Sequence, residues 1–142
     1  MTQIREATAT DGPAIVGLLD ELGYPGGGAF VARRVTQLLA HPDAVLLVAC
    51  DGARVEGLIS LHFIPQLALD GDFCRISYLC VTEGARGRGI GQALEARATA
   101  LARERGCDRI ELHCAELRTA AHAFYEAQGY RHAPRYFVKS VR

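Results

Sequence analysis

The stretch that decides the fold is an apolar segment, a short turn and a glycine-rich segment, which read Ile76-Ser77-Tyr78-Leu79-Cys80-Val81, Thr82-Glu83-Gly84-Ala85 and Arg86-Gly87-Arg88-Gly89-Ile90-Gly91. The first segment predicts a buried strand, and the third opens a helix that ends at Gly106. Three glycines at alternate positions leave the first helical turn without side chains, so unpaired backbone N–H groups can approach a ligand closely. Arg86 and Arg88 add positive charge beside these amides. The stretch therefore predicts a strand, an anion cradle for phosphate, and a helix.

Two well-known phosphate motifs do not fit this segment. A Walker loop needs Lys and Ser or Thr after its second glycine, and Ile90 and Gly91 stand there instead. The dinucleotide fingerprint needs a third glycine where this chain has Gln92 or Leu94, counting from Gly87 or Gly89. The remaining alternatives are another type of phosphate loop and a glycine-rich turn that caps an ordinary helix.

The pattern Arg86-x-x-Gly89-x-Gly91 after a strand resembles the acetyl-coenzyme A loop of the GCN5-related N-acetyltransferases, the GNAT superfamily. A second segment supports the resemblance about 30 residues downstream, where Ala121-x-x-Phe124-Tyr125-x-x-x-Gly129-Tyr130 is similar to the other signature of that family. The two motifs occur in the family's order. The resemblance is specific from about residue 44 to residue 139 and rests on the pattern of elements before that.

Length and composition limit the class of protein. A chain of 142 residues predicts a single domain over 1–142. Its 16 basic and 16 acidic residues balance, so there is no chain-wide basic surface for nucleic acid or for an acidic membrane. Five cysteines without a Cys-x-x-Cys pair suit neither a disulfide framework nor a zinc site. We therefore expect no metal, reduced thiols, no membrane segment and a cytoplasmic protein.

Hydrophobic periodicity and turn residues predict the order of the elements. A short strand is followed by a helix ending at Gly23, a flexible connection Tyr24–Gly28 and a second helix. A hairpin comes next, because Asp51-Gly52 lies between two β-rich runs. The predicted ranges after the first strand at 3–7 are helices at 10–22 and 30–39, strands at 44–50, 55–63 and 73–81, the central helix, a strand at 109–114, a helix that stops at Gly129, and a closing strand at 136–140.

The resemblance implies an α/β fold with a mixed, mostly antiparallel sheet of about six or seven strands flanked by about four helices. In this family the fourth and fifth strands splay apart, and the pantetheine arm of the cofactor pairs with the backbone in the gap. Carried over to this chain, the backbone of Leu79, Cys80 and Val81 would bond pantetheine. The pyrophosphate would lie on the residues of the loop, which are Arg86, Gly87, Arg88, Gly89, Ile90 and Gly91.

The resemblance also implies two catalytic roles. The amide of Val81 would polarise the thioester carbonyl, and Tyr125 would both contact the cofactor and return a proton to the departing thiolate. A phenol with a pKa near 10 keeps its proton at neutral pH, which suits a general acid. Many relatives carry Asn where this chain has Arg118, so Arg118 either contacts a phosphate of the cofactor or is a solvated residue at a helix start.

The general base is not identified by the sequence. An alkylammonium must lose a proton before it attacks, and relatives often use an acidic residue on the strand placed here at 73–81. This chain has Arg75 and Ser77 at those positions. The candidates that remain are Glu21, His62, Asp72, Glu83, His113 and Glu116, with His122 on the helix of Tyr125. For the acceptor itself we expect contacts with Glu21, Tyr24, Phe30, His62 and Tyr78.

The activity implied is acetyl transfer from acetyl-coenzyme A to a primary amine of a small molecule, by direct attack in a ternary complex. Amino acid derivatives, polyamines and aminoglycoside-like compounds all remain open as acceptors. The alternatives are a protein or peptide N-acetyltransferase and a non-catalytic acyl-coenzyme A sensor. The apolar segment Tyr136-Phe137-Val138 would either pair across a two-fold axis in a homodimer or close the core of the monomer.

Overall fold

The computed structural model of the chain describes residues 1–114, 118–133 and 136–142. They fall into two units, residues 1–111 and residues 112–142. The strands are β1 Thr2–Glu6, β2 Ala44–Asp51, β3 Arg54–Ile64, β4 Phe73–Val81 and β5 Arg109–Leu112, and the helices are α1 Gly12–Leu22, α2 Val31–Ala40, α3 Ile90–Glu104 and α4 Thr119–Ala127.

The five strands form one sheet in the order β1-β2-β3-β4-β5. The first four strands pair antiparallel with their neighbours, so the predicted mixed α/β architecture is confirmed. The hairpin between β2 and β3 turns at Gly52, whose φ of +61° lies in the left-handed region that favours glycine. The described residues contain five strands, slightly fewer than the six or seven expected.

Helices cover both faces of the sheet in the unit 1–111. Alternate strand residues Leu46, Val48, Leu58 and Cys80 join one buried cluster with Ile15, Leu18, Val31 and Val35 of α1 and α2. The residues between them point the other way, because successive side chains of a strand lie on opposite faces. Gly57 is on that second face, where an added Cβ would lie 3.3 Å from Ile90 and from Leu94 of α3.

Helix α3 begins where the glycine-rich stretch predicts. Its buried residues Ile90, Leu94, Ala98 and Ala102 recur every four positions and pack toward the sheet. The strand before it, β4, has the predicted bounds of Phe73 and Val81. The stretch that decides the fold therefore places the end of a central strand and the start of a buried helix at one point of the molecule.

In the unit 112–142, helix α4 carries the second sequence motif and ends at Ala127, with Gln128 as its C-cap and Gly129 following at a φ of +96°. The prediction of a closing strand at 136–140 is wrong, since the described residues 136–142 have no strand assignment. The β-branched and aromatic residues there favour strand only when a neighbouring strand packs beside them. Here Phe137 and Val138 are instead about four-fifths exposed, at 84% and 79%.

Candidate functional site

The glycine-rich loop has the geometry of an anion cradle. Gly87 and Gly89 have φ values of +81° and +78°, a conformation that other residues rarely adopt. Gly89 is also the N-cap of α3, and no side chain caps this helix. The first backbone N–H groups of α3 are therefore not covered by a capping side chain, and the positive end of the helix dipole lies behind them. Residues 86–89 are exposed, so an anion in solution can reach these amides.

The two arginines of the loop have different roles, which the sequence did not distinguish. The Nε of Arg86 donates a hydrogen bond to the carbonyl oxygen of Val81 at 3.1 Å, and the residue is exposed. The Nη2 of Arg88 donates to Oε2 of Glu56 at 2.6 Å, and its Nε donates to the carbonyl of Ala85. The guanidinium of Arg88 is thus held by the Glu56 carboxylate. Arg88 would therefore contribute its backbone N–H to the anion cradle, and not its side chain.

Glu56 is the residue of the site that sequence reasoning missed. It lies on β3 with a side chain that is 0% exposed, and its Oε2 also accepts a hydrogen bond from Arg54 at 3.1 Å. Its backbone carbonyl accepts from the amide of Thr82 at 2.8 Å. A glutamate inside an apolar strand segment was the available signal, since a buried carboxylate requires a charged partner. Glu56 therefore fixes the loop at both its beginning and its middle.

The register of β3 and β4 determines which backbone groups of β4 face away from β3. Thr82 bonds to Glu56, and in antiparallel pairing the hydrogen-bonded residues recur every two positions. Cys80 pairs with Leu58 in this register, so its N–H and C=O point toward β3. The N–H and C=O groups of Leu79 and Val81 point toward the opposite edge. Of the three predicted pantetheine partners, these two have backbone groups that are directed to that edge.

The opposite edge of β4 is only partly covered by β5. The amide of Asp108 donates to the carbonyl of Asp72 at 2.7 Å, which sets the start of β5 beside the start of β4. From there β5 has four residues, whereas β4 has nine. Since the residues of a strand are spaced by about 3.3 Å, β5 reaches only about the middle of β4. The C-terminal part of β4, where Leu79 and Val81 lie, extends beyond that length.

A cavity of about 660 Å³ lies between α1, α2 and the sheet. Four of the five predicted acceptor contacts line it, namely Tyr24, Phe30, His62 and Tyr78. The rings of Tyr24 and Tyr78 meet edge to face with centroids 5.5 Å apart. The other lining residues come mainly from the apolar faces of α1 and α2, and include Ile15, Leu19, Val31, Val35 and Leu38.

Glu21, the fifth predicted contact, does not line this cavity. One carboxylate oxygen accepts from the amide of Glu83 at 3.0 Å, and the other accepts from the hydroxyl of Thr82 at 2.8 Å. These bonds lower the pKa of Glu21, with the Glu83 amide as the main cause. Glu21 connects α1 to the residues that follow β4. These bonds give Glu21 a structural role beside the loop, and its contact with the acceptor stays a prediction.

A bulge in β4 directs a hydroxyl at His62. Ser60 pairs with Tyr78 and Leu61 pairs with Ile76, so Ser77 is the extra residue of β4. Its Oγ lies 2.9 Å from Nδ1 of His62. Burial lowers the pKa of His62, and His41 and Arg75 lower it further. These surroundings favour the neutral imidazole, and Ser77 holds its ring at the cavity wall.

The unit 112–142 contains the predicted general acid. Burial raises the pKa of Tyr125 to about 12, the Cys114 thiol raises it as well, and Arg118 partly opposes this. The ring of Tyr125 contacts the rings of Phe124 and Tyr130, at centroid distances of 5.2 and 5.6 Å. Arg118 is exposed at the N-cap of α4. Tyr125 thus keeps its proton throughout the physiological range.

The other base candidates have different surroundings. The carbonyl of Asp72 bonds to Asp108, Glu83 begins a short 3-10 turn, and the ring of His113 stacks on Tyr136 at 4.0 Å. His122 lies 5.9 Å from the ring of His132, between centroids. Glu116 is outside the described residues. Of the candidates that the structure describes, only His62 lines the cavity.

Over the ranges 1–114, 118–133 and 136–142, no three His, Cys, Asp or Glu residues cluster in a way that could hold a metal ion. In the same part of the chain, each helix is too short or too polar to cross a bilayer.

The fold places a glycine-rich loop and the start of α3 at the end of a central strand, and an apolar cavity lies against the same sheet. Comparison with known proteins identifies the class of this protein. Residues 16–130 match the acetyltransferase (GNAT) family. Because this match spans most of the chain, the protein belongs to that family, and the resemblance inferred from the two sequence motifs is confirmed.

Individual known proteins are similar to parts or all of this chain. A mycothiol acetyltransferase from Beutenbergia cavernae is 46% identical over 55 residues, which are 39% of this chain and 18% of that enzyme. The chain therefore covers about a fifth of the length of that relative. A crystal structure of a transcriptional regulator from Bacillus halodurans has a TM-score of 0.91 and 27% identity, with 99% of each chain covered.

A structure of glucosamine-6-phosphate N-acetyltransferase from Arabidopsis thaliana has a TM-score of 0.86 at 18% identity, and it covers 100% of this chain and 99% of its own. A putative acetyltransferase from Agrobacterium tumefaciens has a TM-score of 0.87 at 23% identity, with coverages of 97% and 99%. At these identities the similarity establishes the fold.

Proposed function

We propose that the chain transfers an acetyl group from acetyl-coenzyme A to a primary amine of a small molecule. The observation that carries the proposal is the 660 Å³ cavity against β4, the strand that leads into the anion-binding loop. Its volume is within the range of about 300 to 1,000 Å³ that is typical of small-molecule sites. The mycothiol acetyltransferase that the chain matches in part also points to acetyl transfer.

The residues of the loop fit the phosphates of the cofactor. The positive φ values of Gly87 and Gly89 leave the start of α3 without a covering side chain, and the amides of residues 86–91 can donate to a pyrophosphate. The exposed guanidinium of Arg86 adds a charged donor. Glu56 holds Arg88 and the backbone of Thr82, and so orders the loop before the cofactor arrives.

Each part of the site has a separate role in the reaction. Acetyl-coenzyme A supplies the acetyl group as a thioester, which has a thiolate leaving group. The backbone groups of Leu79 and Val81 would align the pantetheine arm along β4, and the Val81 amide would polarise the carbonyl. By the family resemblance, Tyr125 would supply the proton that the departing sulfur requires. The residues of the cavity would orient the amine.

Binding of acetyl-coenzyme A tests the cofactor assignment. We expect calorimetry to show binding that weakens with salt, because phosphates meet a helix N-terminus and arginine, and we expect much weaker binding of NAD and ATP. Gly91→Val places a branched side chain in the first turn of α3, where phosphate must approach. It should weaken binding by more than about 100-fold, the value of two or more charge-assisted hydrogen bonds.

Gly17→Val is a matched control for this substitution. Gly17 is an exposed residue of α1, and an added Cβ there would meet nothing within 4 Å. Both positions are helical with ordinary φ values, so the cost in helix propensity should be similar for the two substitutions. If Gly91→Val bound acetyl-coenzyme A as well as Gly17→Val does, the loop would not be the phosphate site.

Release of free thiol from acetyl-coenzyme A tests the reaction. The assay compares small amines with lysine-containing peptides and with no acceptor, and mass spectrometry identifies the acetylated product. We expect turnover with a small amine. Turnover with peptides alone would identify a peptide acetyltransferase, and tight cofactor binding without turnover would identify an acyl-coenzyme A sensor.

A further inference from the structure

The charges around the cavity restrict the acceptor. Among the described residues that line it, Arg34 is the one Arg or Lys, and none of the lining residues is Asp or Glu. A second cationic group on the acceptor would lie in a cavity that holds this guanidinium and would have no carboxylate to replace its lost hydration. Polyamines and aminoglycosides carry several such groups.

The shape of the lining indicates the rest of the acceptor. Tyr24 and Phe30 are about half exposed, at 55% and 45%, and with Tyr78 they form an aromatic rim. Below them the wall consists of aliphatic side chains of α1, α2 and the sheet, including Leu19, Val35 and Leu58. Such a wall favours an aliphatic or aromatic body, because each buried methylene group contributes about 0.8 kcal/mol of transfer free energy.

We propose, on the basis of the acetyltransferase function above, that the acceptor is a monoamine with an apolar or aromatic body whose second polar group, if present, is acidic. Arg34 is the residue that would receive this acidic group. It is exposed on α2 at the edge of the cavity, and its Nη1 donates to Oε1 of Gln37 at 2.9 Å, which leaves other N–H groups of the guanidinium for a ligand.

A panel of matched amines tests this specificity. Phenethylamine and phenylalanine represent monoamines without and with a carboxylate, and spermidine and kanamycin represent polycations. We expect kcat/KM for the better monoamine to exceed that for either polycation by at least about 100-fold. Polycation turnover equal to or above that of the monoamines would overturn the inference and leave the acetyltransferase function standing. Absence of turnover with every amine would overturn both.

Charge reversal at one position makes the test sharper. Arg34→Glu should lower kcat/KM for phenylalanine by about tenfold, the value of one charge-assisted hydrogen bond, with little change for phenethylamine. Arg33→Glu is the control, because Arg33 is the neighbouring exposed residue of α2 and does not line the cavity. An equal effect of both variants would show that Arg34 does not contact the acceptor.

The bulge in β4 carries a second inference, which concerns the proton of the acceptor. His62 lies across from Arg75 in the register of β3 and β4, and the bulge brings the Ser77 hydroxyl to its Nδ1. When Nδ1–H donates to this hydroxyl, Nε2 keeps a lone pair at the cavity wall. We propose that His62 is the general base that deprotonates the acceptor ammonium.

The proposed step balances in protons and electrons. An N–H bond of the ammonium breaks, His62 gains the proton, and the nitrogen gains its lone pair. The C–N bond then forms as the C–S bond breaks, and the sulfur keeps the electron pair. The nitrogen loses two protons in all. One passes through His62 to solvent, and the loss of the other is matched by the proton that the coenzyme thiolate gains to become a thiol.

Charged and titratable groups from every neighbouring element act on His62. Burial lowers its pKa first, and His41 at the end of α2 and Arg75 of β4 lower it further. Arg34 of α2 lines the same cavity, as do the phenols of Tyr24 and Tyr78, and the residue opposite on β2 is Ala44. A base with a pKa below its ordinary value of 6.5 is free at pH 7, so activity should fall only on the acid side.

His62→Gln tests the role, since glutamine can still bond to Ser77. We expect kcat/KM at pH 7 to fall by about 100-fold or more, with the deficit shrinking as the pH approaches the pKa of the amine, where the base is no longer needed. Added imidazole should restore part of the rate. A structural defect would not show this pH dependence or this rescue.

His132→Gln is the control, because His132 bonds to Glu126 in the unit 112–142 and does not line the cavity. It should have the pH profile of the parent. If His62→Gln kept the kcat/KM and the acid limb of the parent, His62 would not be the base. A parent without turnover on any amine would overturn this inference together with the proposed function.

Discussion

Removal of the Arg88 side chain should destabilise the protein, although Arg88 lies in an exposed loop. The variant Arg88→Ala leaves Glu56 with one charged partner, Arg54, whose side chain is 74% exposed. The carboxylate itself is fully buried, and its Oε1 has no hydrogen-bond partner among the described residues. An uncompensated buried charge is costly, because the hydration lost on folding is not replaced.

The expected loss follows from the burial of the two partners. Loss of one partner of a fully buried ion pair costs roughly 3 to 5 kcal/mol. The side chain of Arg88 is 48% exposed and Arg54 remains, so we expect about 2 to 3 kcal/mol. For a domain of this length each kcal/mol corresponds to about 3 to 4 °C, which gives a decrease in Tm of about 6 to 12 °C.

A double-mutant cycle with Glu56→Gln separates this pair from other effects of the loop. Without the buried charge, Arg88→Ala should cost less than about 1 kcal/mol, so the coupling energy should be at least about 1 to 2 kcal/mol. Denaturant unfolding of the four proteins measures it. Arg86→Ala is the matched control, because its side chain bonds only a backbone carbonyl in the described structure and should matter mainly for the affinity for acetyl-coenzyme A. Equal costs of Arg88→Ala in both backgrounds, or a Tm within about 2 °C of the parent, would refute this account.

Features that depend on neighbouring residues could be predicted well from the sequence. The bounds of β4, the glycine cap of α3 and the second signature all follow from local patterns, and the connection after α1 does supply Tyr24 and Phe30 to the cavity. Their physical causes are short-range, because propensity, capping and left-handed glycines act within a few residues.

Features that depend on register could not be predicted. Glu56 and Arg88 are 32 positions apart, and only the pairing of β3 with β4 brings them together. The bulge at Ser77 moves one hydroxyl to His62, and a pattern of alternating residues does not reveal where a bulge will occur. The predicted strand at 136–140 failed for a related reason, since strand formation requires a partner strand as well as suitable residues.

Three further outcomes can be measured. Tyr125→Phe keeps the ring contacts with Phe124 and Tyr130 and removes the phenol proton. The kcat should therefore fall by about 100-fold, while the affinity for acetyl-coenzyme A in calorimetry stays the same. Parallel losses of kcat and affinity would make Tyr125 a binding residue. Glu21→Gln should lower Tm at pH 7. The amide of Glu83 and the hydroxyl of Thr82 lower the pKa of Glu21 from its ordinary value of 4.5. The stabilisation by the Glu21 carboxylate is therefore present above pH 4.5 and is lost as the pH falls through the lowered pKa. The difference in Tm between the variant and the parent should close from about pH 5 downward. A gap that stayed constant with pH would exclude the carboxylate as its cause. The exposed segment of Tyr136, Phe137 and Val138 should associate with a second copy of the chain, because contiguous apolar surface of this kind is usually covered. Light scattering at tens of micromolar should give the mass of a dimer for the parent protein and the mass of a monomer for Phe137→Glu. The control variant Lys139→Glu should stay dimeric. A monomeric parent would show that this segment does not mediate self-association.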